Sequence, residues 1–258
     1  MVTDRLRRFV KEHPILARLH WWISLLRTIP AQEFLSVSKI RVLLTAAPYS
    51  QCSVYKLSAL YETALSLERE NIEGSFVECG VRNGGSAGVM ATPARNNPGR
   101  HVWLFDSWQG LAEPSGHDID PQGRPGKKGQ ALGEIEKATE LILGKLRLDA
   151  TRIHLVRGWF NETLPLLKDE IGEVALLNVD CDWYESVKFC LEQLYDSVAE
   201  GGFVFLDDYF YWQGCRKAVD EFVSKHPALE LVRVDRVGVC FQKREARTAS
   251  QADALCSH

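Results

Sequence analysis

Asp180 and Asp182, one residue apart, close the apolar run 174–179 in the stretch VDCDWYES, and the adjacent pair Asp207 and Asp208 closes another in GGFVFLDD. A strand that ends in D-x-D admits several chemistries: a phosphatase nucleophile with its acid partner, a metal clamp on a nucleotide sugar, or part of a metal site for another transfer. In a parallel sheet the carboxyl ends of neighbouring strands meet at one crevice, so all four carboxylates are expected to converge. Like charges that crowded repel unless protonation or a cation neutralises them. An all-oxygen set suits a hard cation such as Mg²⁺, which keeps waters and leaves room for substrate oxygens. A divalent metal site is therefore expected, against the alternative that the aspartates only cap the helices that follow.

A second group of residues suggests a cofactor. VECGVRNGGS puts Glu78 and Gly80 at a strand end, with Gly84, Gly85 and Ser86 at the following helix start. Glycines there let a ligand approach the backbone and the amides of the helix N-terminus. The spacing is G-x-x-x-G-G and not the G-x-G-x-x-G of a dinucleotide site. In WLFDSW, Asp106 stands at the next strand end, 28 positions after Glu78. An acid there commonly takes a ribose hydroxyl pair, because an ionised carboxylate accepts two hydrogen bonds. Glycine turn and acid together indicate a nucleoside-bearing cofactor, and S-adenosylmethionine fits better than NAD.

These residues need a frame. Five short apolar runs (SFVECG, HVWLFD, RIHLVRG, VALLNVD and GGFVFLDD) alternate with helical patterns, and LELVRVD and VGVCFQK close the series. Such alternation predicts an α/β fold, a parallel sheet with helices on both faces. The last two runs have almost nothing between them, so they must form a hairpin and one terminal strand must run antiparallel. Residues 55–70 space Leu57, Leu60, Tyr61, Ala64, Leu65 and Leu67 as one helical face. Residues 109–132, rich in Gly and Pro, are too long for an ordinary connection and are expected to be a lid, a binding loop or disordered. The domain organisation read from these patterns is a helical extension over 1–54, the sheet domain over 55–245 and a disordered polar tail over 246–258.

Composition limits the remaining choices. The 258 residues carry a formal net charge of -3, which argues against nucleic-acid binding as the main task. The seven cysteines form no C-x-x-C pair, so neither zinc spacing nor a disulfide framework is expected and the protein reads as reduced and cytoplasmic. No run reaches the roughly 18 apolar residues of a membrane span, and the first 18 residues have no clean apolar signal core. Residues 4–27 are basic and amphipathic, with a dense LHWWISLL cluster. They are expected to pack on their own domain or on a second subunit, as in a homo-oligomer, with weak membrane-surface contact as the alternative. His101 and His154 sit at strand starts, where core or edge positions are expected. Trp183, Tyr184, Tyr209, Phe210, Tyr211 and Trp212 flank the acids, which suits a sugar or phenolic substrate as well as it suits helix packing.

Taken together, VECGVRNGGS, LFDSWQGL, GWFNETLP, VDCDWYES and GGFVFLDDYFYWQGCRKAVDEF resemble the macrocin O-methyltransferase family over about residues 74 to 243. The resemblance implies a Rossmann-like class I methyltransferase fold with a mostly parallel seven-stranded sheet. It also implies a Mg²⁺-dependent enzyme that moves a methyl group from S-adenosylmethionine to a hydroxyl of a sugar or glycosylated natural product. On that resemblance Asp180, Asp207 and Asp208 bind the metal and Asp182 is the general base. Glu78, Gly80 and Ser86 would lie along the methionine part of the cofactor, Asp106 and Ser107 by the ribose, and Gly158, Trp159 and Phe160 near the adenine. A catechol-type O-methyltransferase is the alternative within the same chemistry. Outside it stand a metal-dependent phosphatase, which needs D-x-D on a first strand, and a glycosyltransferase, which leaves Asp106 and the second acid pair unexplained.

Overall fold

The computed structural model describes residues 36–244, so the basic segment at 4–27 and the polar tail lie outside the described residues. In chain order the elements are α1 (Val37–Ala46), α2 (Val54–Arg69), β1 (Ser75–Cys79), α3 (Gly85–Ala91), β2 (Val102–Asp106) and α4 (Ile135–Thr139). They continue as β3 (Ile153–Arg157), α5 (Phe160–Ile171), β4 (Val174–Val179), α6 (Tyr184–Leu194), β5 (Val198–Leu206), α7 (Gln213–Lys225), β6 (Val232–Arg233) and β7 (Val239–Gln242). The seven strands form one sheet in the order β3-β2-β1-β4-β5-β7-β6. The first five in that order are parallel, and β7 runs antiparallel to both of its neighbours. The antiparallel strand is thus last in the chain but lies inside the sheet, with β6 on the edge.

Both sheet faces are covered, which is why the central strands read as continuous apolar runs and not as alternating ones. Phe76, Leu104, Leu176 and Phe205 face one core with Leu43 of α1, Leu57 and Leu60 of α2 and Met90 of α3. Their neighbours Val77, Phe105, Leu177 and Val204 face the other, with Leu164 of α5, Leu191 of α6 and Val219 of α7. α1 is therefore part of the first core and does not stand off from it.

Three elements differ in detail from the pattern in the sequence. LELVRVD pairs only at Val232 and Arg233, because this edge run is exposed, Val232 at 59%, and has no second face to bury. The helical stretch after the long loop starts as α4 and continues as a π-helical turn over Glu140–Lys145. α3 stops at Ala91 and a 3₁₀ turn begins at Pro93, where the ring removes a backbone donor.

The long 109–132 segment is a folded loop, closed at its neck where the Leu111 amide donates to the Gln130 carbonyl at 2.8 Å. Its anchor is Asp118, fully buried. Asp118 Oδ1 accepts from the Tyr184 amide at 2.7 Å, and Oδ2 accepts from the Ser115 amide at 2.6 Å and its hydroxyl at 2.7 Å. A carboxylate on the first-turn amide of α6 satisfies an orphan donor and opposes the positive end of the helix dipole. The Gln213 amide of α7 donates to the Ile119 carbonyl at 3.0 Å, and Trp183 Nε1 to the Ala112 carbonyl at 2.9 Å. Gly126 lies so close to Trp183 that a Cβ would fall 2.2 Å from the indole ring. Among the described residues all six cysteines are free and no helix is long and apolar enough to cross a membrane.

Candidate active site

The strand order reverses at β1, with β2 on one side and β4 on the other, which is where open α/β sheets bind ligands. The register pairs Cys79 with Phe105 and with Val179, and Val179 with Leu206. The next residue on each strand therefore emerges at one level: Gly80, Asp106, Asp180 and Asp207 stand in a row along the carboxyl edge. A cavity of about 2050 Å³ opens above them, lined by every site residue expected from the sequence except Glu78.

Gly80 makes the row possible. Its φ is +98°, and a Cβ there would lie 1.8 Å from the Asp180 carbonyl oxygen. The Gly80 amide donates to Phe105 O and the Asp180 amide to Cys79 O, each at 2.8 Å, so the β1 turn is sewn to both neighbouring strands. Asp106 is sewn in as well. Its Oδ2 accepts from the amides of Val81 at 2.9 Å and Arg82 at 2.7 Å, and Oδ1 accepts from Trp108 at 2.7 Å. A carboxylate has about four acceptor positions, so most of Asp106 is spent on shaping the glycine turn. What it can still offer a ribose is one lone pair, not a free carboxylate. Ser107, also buried, accepts from the Gln109 amide at 3.0 Å.

Glu78 lies beneath the row, completely buried. It sits level with Asn178 on β4, whose Nδ2 donates to Glu78 Oε1 at 2.5 Å; Oε2 has no hydrogen-bond partner. Burial pushes the carboxyl up from 4.5 to about 8, with the charge of Asp180 adding to the shift. An acid whose folded pKa lies above its unfolded one gives stability that is full below the unfolded value and is lost as pH rises through the folded value. We expect Glu78→Gln, which cannot ionise, to gain Tm relative to wild type as pH rises from about 4.5 to about 8 in metal-free buffer. Parallel Tm curves for the two proteins across that window would show that Glu78 carries no such penalty.

The acid pairs converge as expected. One carboxylate oxygen from each of Asp180, Asp182 and Asp208 can be chosen so that all three lie within 4.8 Å of one another, and the same holds for Asp180 and Asp207 with the Cys52 thiol. The second acid of each pair, Asp182 and Asp208, has φ +59°. That left-handed conformation is uncommon outside glycine, although Asp is among the residues that tolerate it. Trp212 Nε1 donates to Asp182 Oδ1 at 2.9 Å. Burial raises all three of Asp182, Asp207 and Asp208, Asp207 to about 6, and repulsion within the cluster adds to each. Asp207 Oδ1 is buried without a partner. A set of oxygen donors that resists ionisation and keeps an orphaned acceptor suits a hard cation.

One member of the cluster was not anticipated. Lys56 Nζ lies 2.7 Å from Asp180 Oδ2 and 2.7 Å from Asp207 Oδ2. Burial pulls its pKa down, but the two carboxylates outweigh that and hold the ammonium charged. A signal was present: Lys56 continues the buried stripe of Leu60, Ala64 and Leu67 at helical spacing, where a solvated lysine would not sit. Its helix is capped by Ser53, whose hydroxyl also bonds Asp235 Oδ2 in the β6–β7 turn.

Comparison with known proteins places this geometry. The family model described as macrocin-O-methyltransferase (TylF) matches residues 46–243. The demethyldecarbamoylnovobiocin O-methyltransferase of Streptomyces niveus is 30% identical over 203 residues, 77% of this chain and 77% of that protein. A Streptomyces olivaceus enzyme, 8-demethyl-8-(2,3-dimethoxy-alpha-L-rhamnosyl)-tetracenomycin-C 4'-O-methyltransferase, is 29% identical over 194 residues, 73% of this chain and 72% of its own. Among solved structures, the O-methyltransferase NovP superposes with a TM-score of 0.67 at 28% identity, covering 76% of this chain and 83% of NovP. With the cleft, the acid pairs and the glycine turn all inside the matched region, the chain belongs to the macrocin-O-methyltransferase (TylF) family.

Proposed function

We propose that this O-methyltransferase moves a methyl group from S-adenosylmethionine to a hydroxyl of a sugar or glycosylated natural product, with a divalent cation such as Mg²⁺ in the acid cluster. The observation that carries the reading is the shared level of the β1 glycine turn and the two acid pairs along one sheet edge. It brings a cofactor turn and a hard-cation site into the same cleft. The two Streptomyces relatives are named for demethyldecarbamoylnovobiocin and for a rhamnosyl tetracenomycin, which supports a glycosylated acceptor.

S-Adenosylmethionine supplies an electrophilic methyl group, and the protein's task is chiefly to align it with the acceptor oxygen. Glu78, Gly80 and Ser86 would take its methionine part, Asp106 and Ser107 the ribose side, and Gly158, Trp159 and Phe160 the adenine. Asp180, Asp207 and Asp208 would hold the cation, which when bound stabilises negative charge developing on the acceptor oxygen. Asp182 takes the proton through the oxygen that Trp212 does not occupy. Its raised pKa brings it nearer the operating pH, where a general base works best. Leu111, Ala112 and Leu132 of the folded loop and Tyr211 and Trp212 just before α7 line the cavity.

The test is a methyl-transfer screen over free sugars, glycosides and phenols, with Mg²⁺ and with a chelator. We expect transfer to a sugar hydroxyl that needs both S-adenosylmethionine and the divalent cation. Methylation of phenols alone would move the assignment to a catechol-type enzyme, and unchanged turnover in chelator would remove the metal.

A further inference from the structure

Among the described residues, Lys56 is the basic side chain that forms ion pairs inside the acid cluster. Its side chain is 3% exposed, and its Nζ bridges one oxygen of Asp180 and one of Asp207. Asp182 and Asp208 form a second trio of candidate ligands with Asp180, and Asp182 is held by Trp212. The cluster thus has two overlapping trios that share Asp180. One, of Cys52, Asp180 and Asp207, holds the ammonium; the other, of Asp180, Asp182 and Asp208, does not. The placement of Lys56 is built from two directions. Ser53 Oγ accepts from the Lys56 amide at 3.1 Å and is itself tied to Asp235 across the sheet. Cys52 Sγ points at the same Asp180 oxygen at 3.6 Å.

We propose that Lys56 is a resident counter-cation. It is a positioning residue that holds one oxygen each of Asp180 and Asp207 and leaves their other oxygens, with Asp208, to an incoming divalent ion. This rests on reading the acid cluster as a divalent site. Four acids share one ammonium, and a divalent ion entering beside Lys56 meets both their attraction and a fixed positive charge. Removing that charge deepens the well for the ion, because charge interactions a few ångströms apart in a partly buried site are screened only modestly. It also opens the Cys52–Asp180–Asp207 pocket. A lysine that served only to pack α2 would, when lost, leave metal affinity unchanged or weaken it.

The experiment is titration of the full chain with Mn²⁺, followed by paramagnetic resonance of the free ion. Wild type, Lys56→Gln and Lys56→Arg are compared, and the Tm of each is read with and without Mg²⁺. Lys56→Gln is expected to bind Mn²⁺ more than about tenfold tighter than wild type, or to take up a second ion. Its Tm should fall in metal-free buffer and recover with Mg²⁺ by more than wild type gains. Lys56→Arg, which keeps the charge, should stay near wild type.

If wild type binds Mn²⁺ and Lys56→Gln binds it no tighter and in equal number, the inference on Lys56 falls and the metal reading stands. If wild type binds none and Lys56→Gln binds one, the lysine stands in place of a metal: the metal reading falls, and with it the role of Lys56 in placing a divalent ion. If neither binds, both fall. A Lys56→Gln protein that stays unfolded at every Mg²⁺ concentration also overturns the inference, since no divalent ion then replaces the ammonium. So does a Lys56→Arg protein that binds Mn²⁺ as tightly as Lys56→Gln.

Discussion

Asp182→Asn is expected to lower kcat by about 10² to 10⁴ while leaving S-adenosylmethionine affinity unchanged, the range that loss of a general base produces. The substitution is close to a pure test of proton transfer. Asn adopts the left-handed backbone as readily as Asp, so φ +59° at this position is retained. Its carbonyl oxygen can accept the bond from Trp212 Nε1 that Asp182 Oδ1 accepts now. Replacing a buried carboxylate with a neutral amide also relieves repulsion with Asp208, so Tm in metal-free buffer should hold or rise. Calorimetry with S-adenosylmethionine and steady-state turnover on the acceptor found in the screen separate the outcomes. Turnover within tenfold of wild type would remove Asp182 as the base. Loss of cofactor binding would instead assign it to the cofactor pocket.

Gly80→Ala is expected to be the most damaging single-methyl change in the cleft. The added Cβ would lie 1.8 Å from the Asp180 carbonyl oxygen and 2.7 Å from its carbon, both backbone atoms, at a φ of +98°. No side-chain rotation relieves that contact. Either β1 parts from β4 or the turn after β4 moves, and the second displaces Asp180 and the ion pair it makes with Lys56. Effects of this kind fall in the upper range for point mutations, on the order of 4 kcal/mol or more. For a chain of this size that lowers Tm by at least about 8 °C. Gly144→Ala is the control, because Gly144 has open space where its Cβ would be and an unstrained φ. Differential scanning that finds the two variants within a few degrees of each other would show that the turn can relax.

The parts of the fold legible in the sequence were those that one segment decides by itself. The central strands announce themselves because β1 and β4 are buried on both faces, and the acids stand out because each pair ends an apolar run. What could not be read depends on two segments meeting. Lys56 stands out only as a charge on a buried helix stripe; its partner Asp180 lies 124 residues along the chain. Asp106 looks like a free ribose ligand until Val81, Arg82 and Trp108 turn their amides onto it. LELVRVD has the composition of a full strand, yet it lies at the edge, where two residues suffice. The sequence left the 109–132 segment open between a lid, a binding loop and disorder, because its order comes from one buried carboxylate, Asp118, on a distant helix start.

The tie between Ser53 and Asp235 joins residues 182 positions apart, and this has a consequence for the newly made chain. At about 5 to 20 residues per second, Lys56 leaves the ribosome roughly 6 to 25 s before Asp180. During that interval its ammonium has no acidic partner in the sheet and must remain in water. β7 is the last of the seven strands to be made and has to slot between β5 and β6, so the sheet closes only after residue 242 has emerged. α2 and β1 therefore emerge well before the acids that complete the charged centre. A chain cut short before residue 235 would keep its four acids and its lysine but lose the strap that aims one at the other.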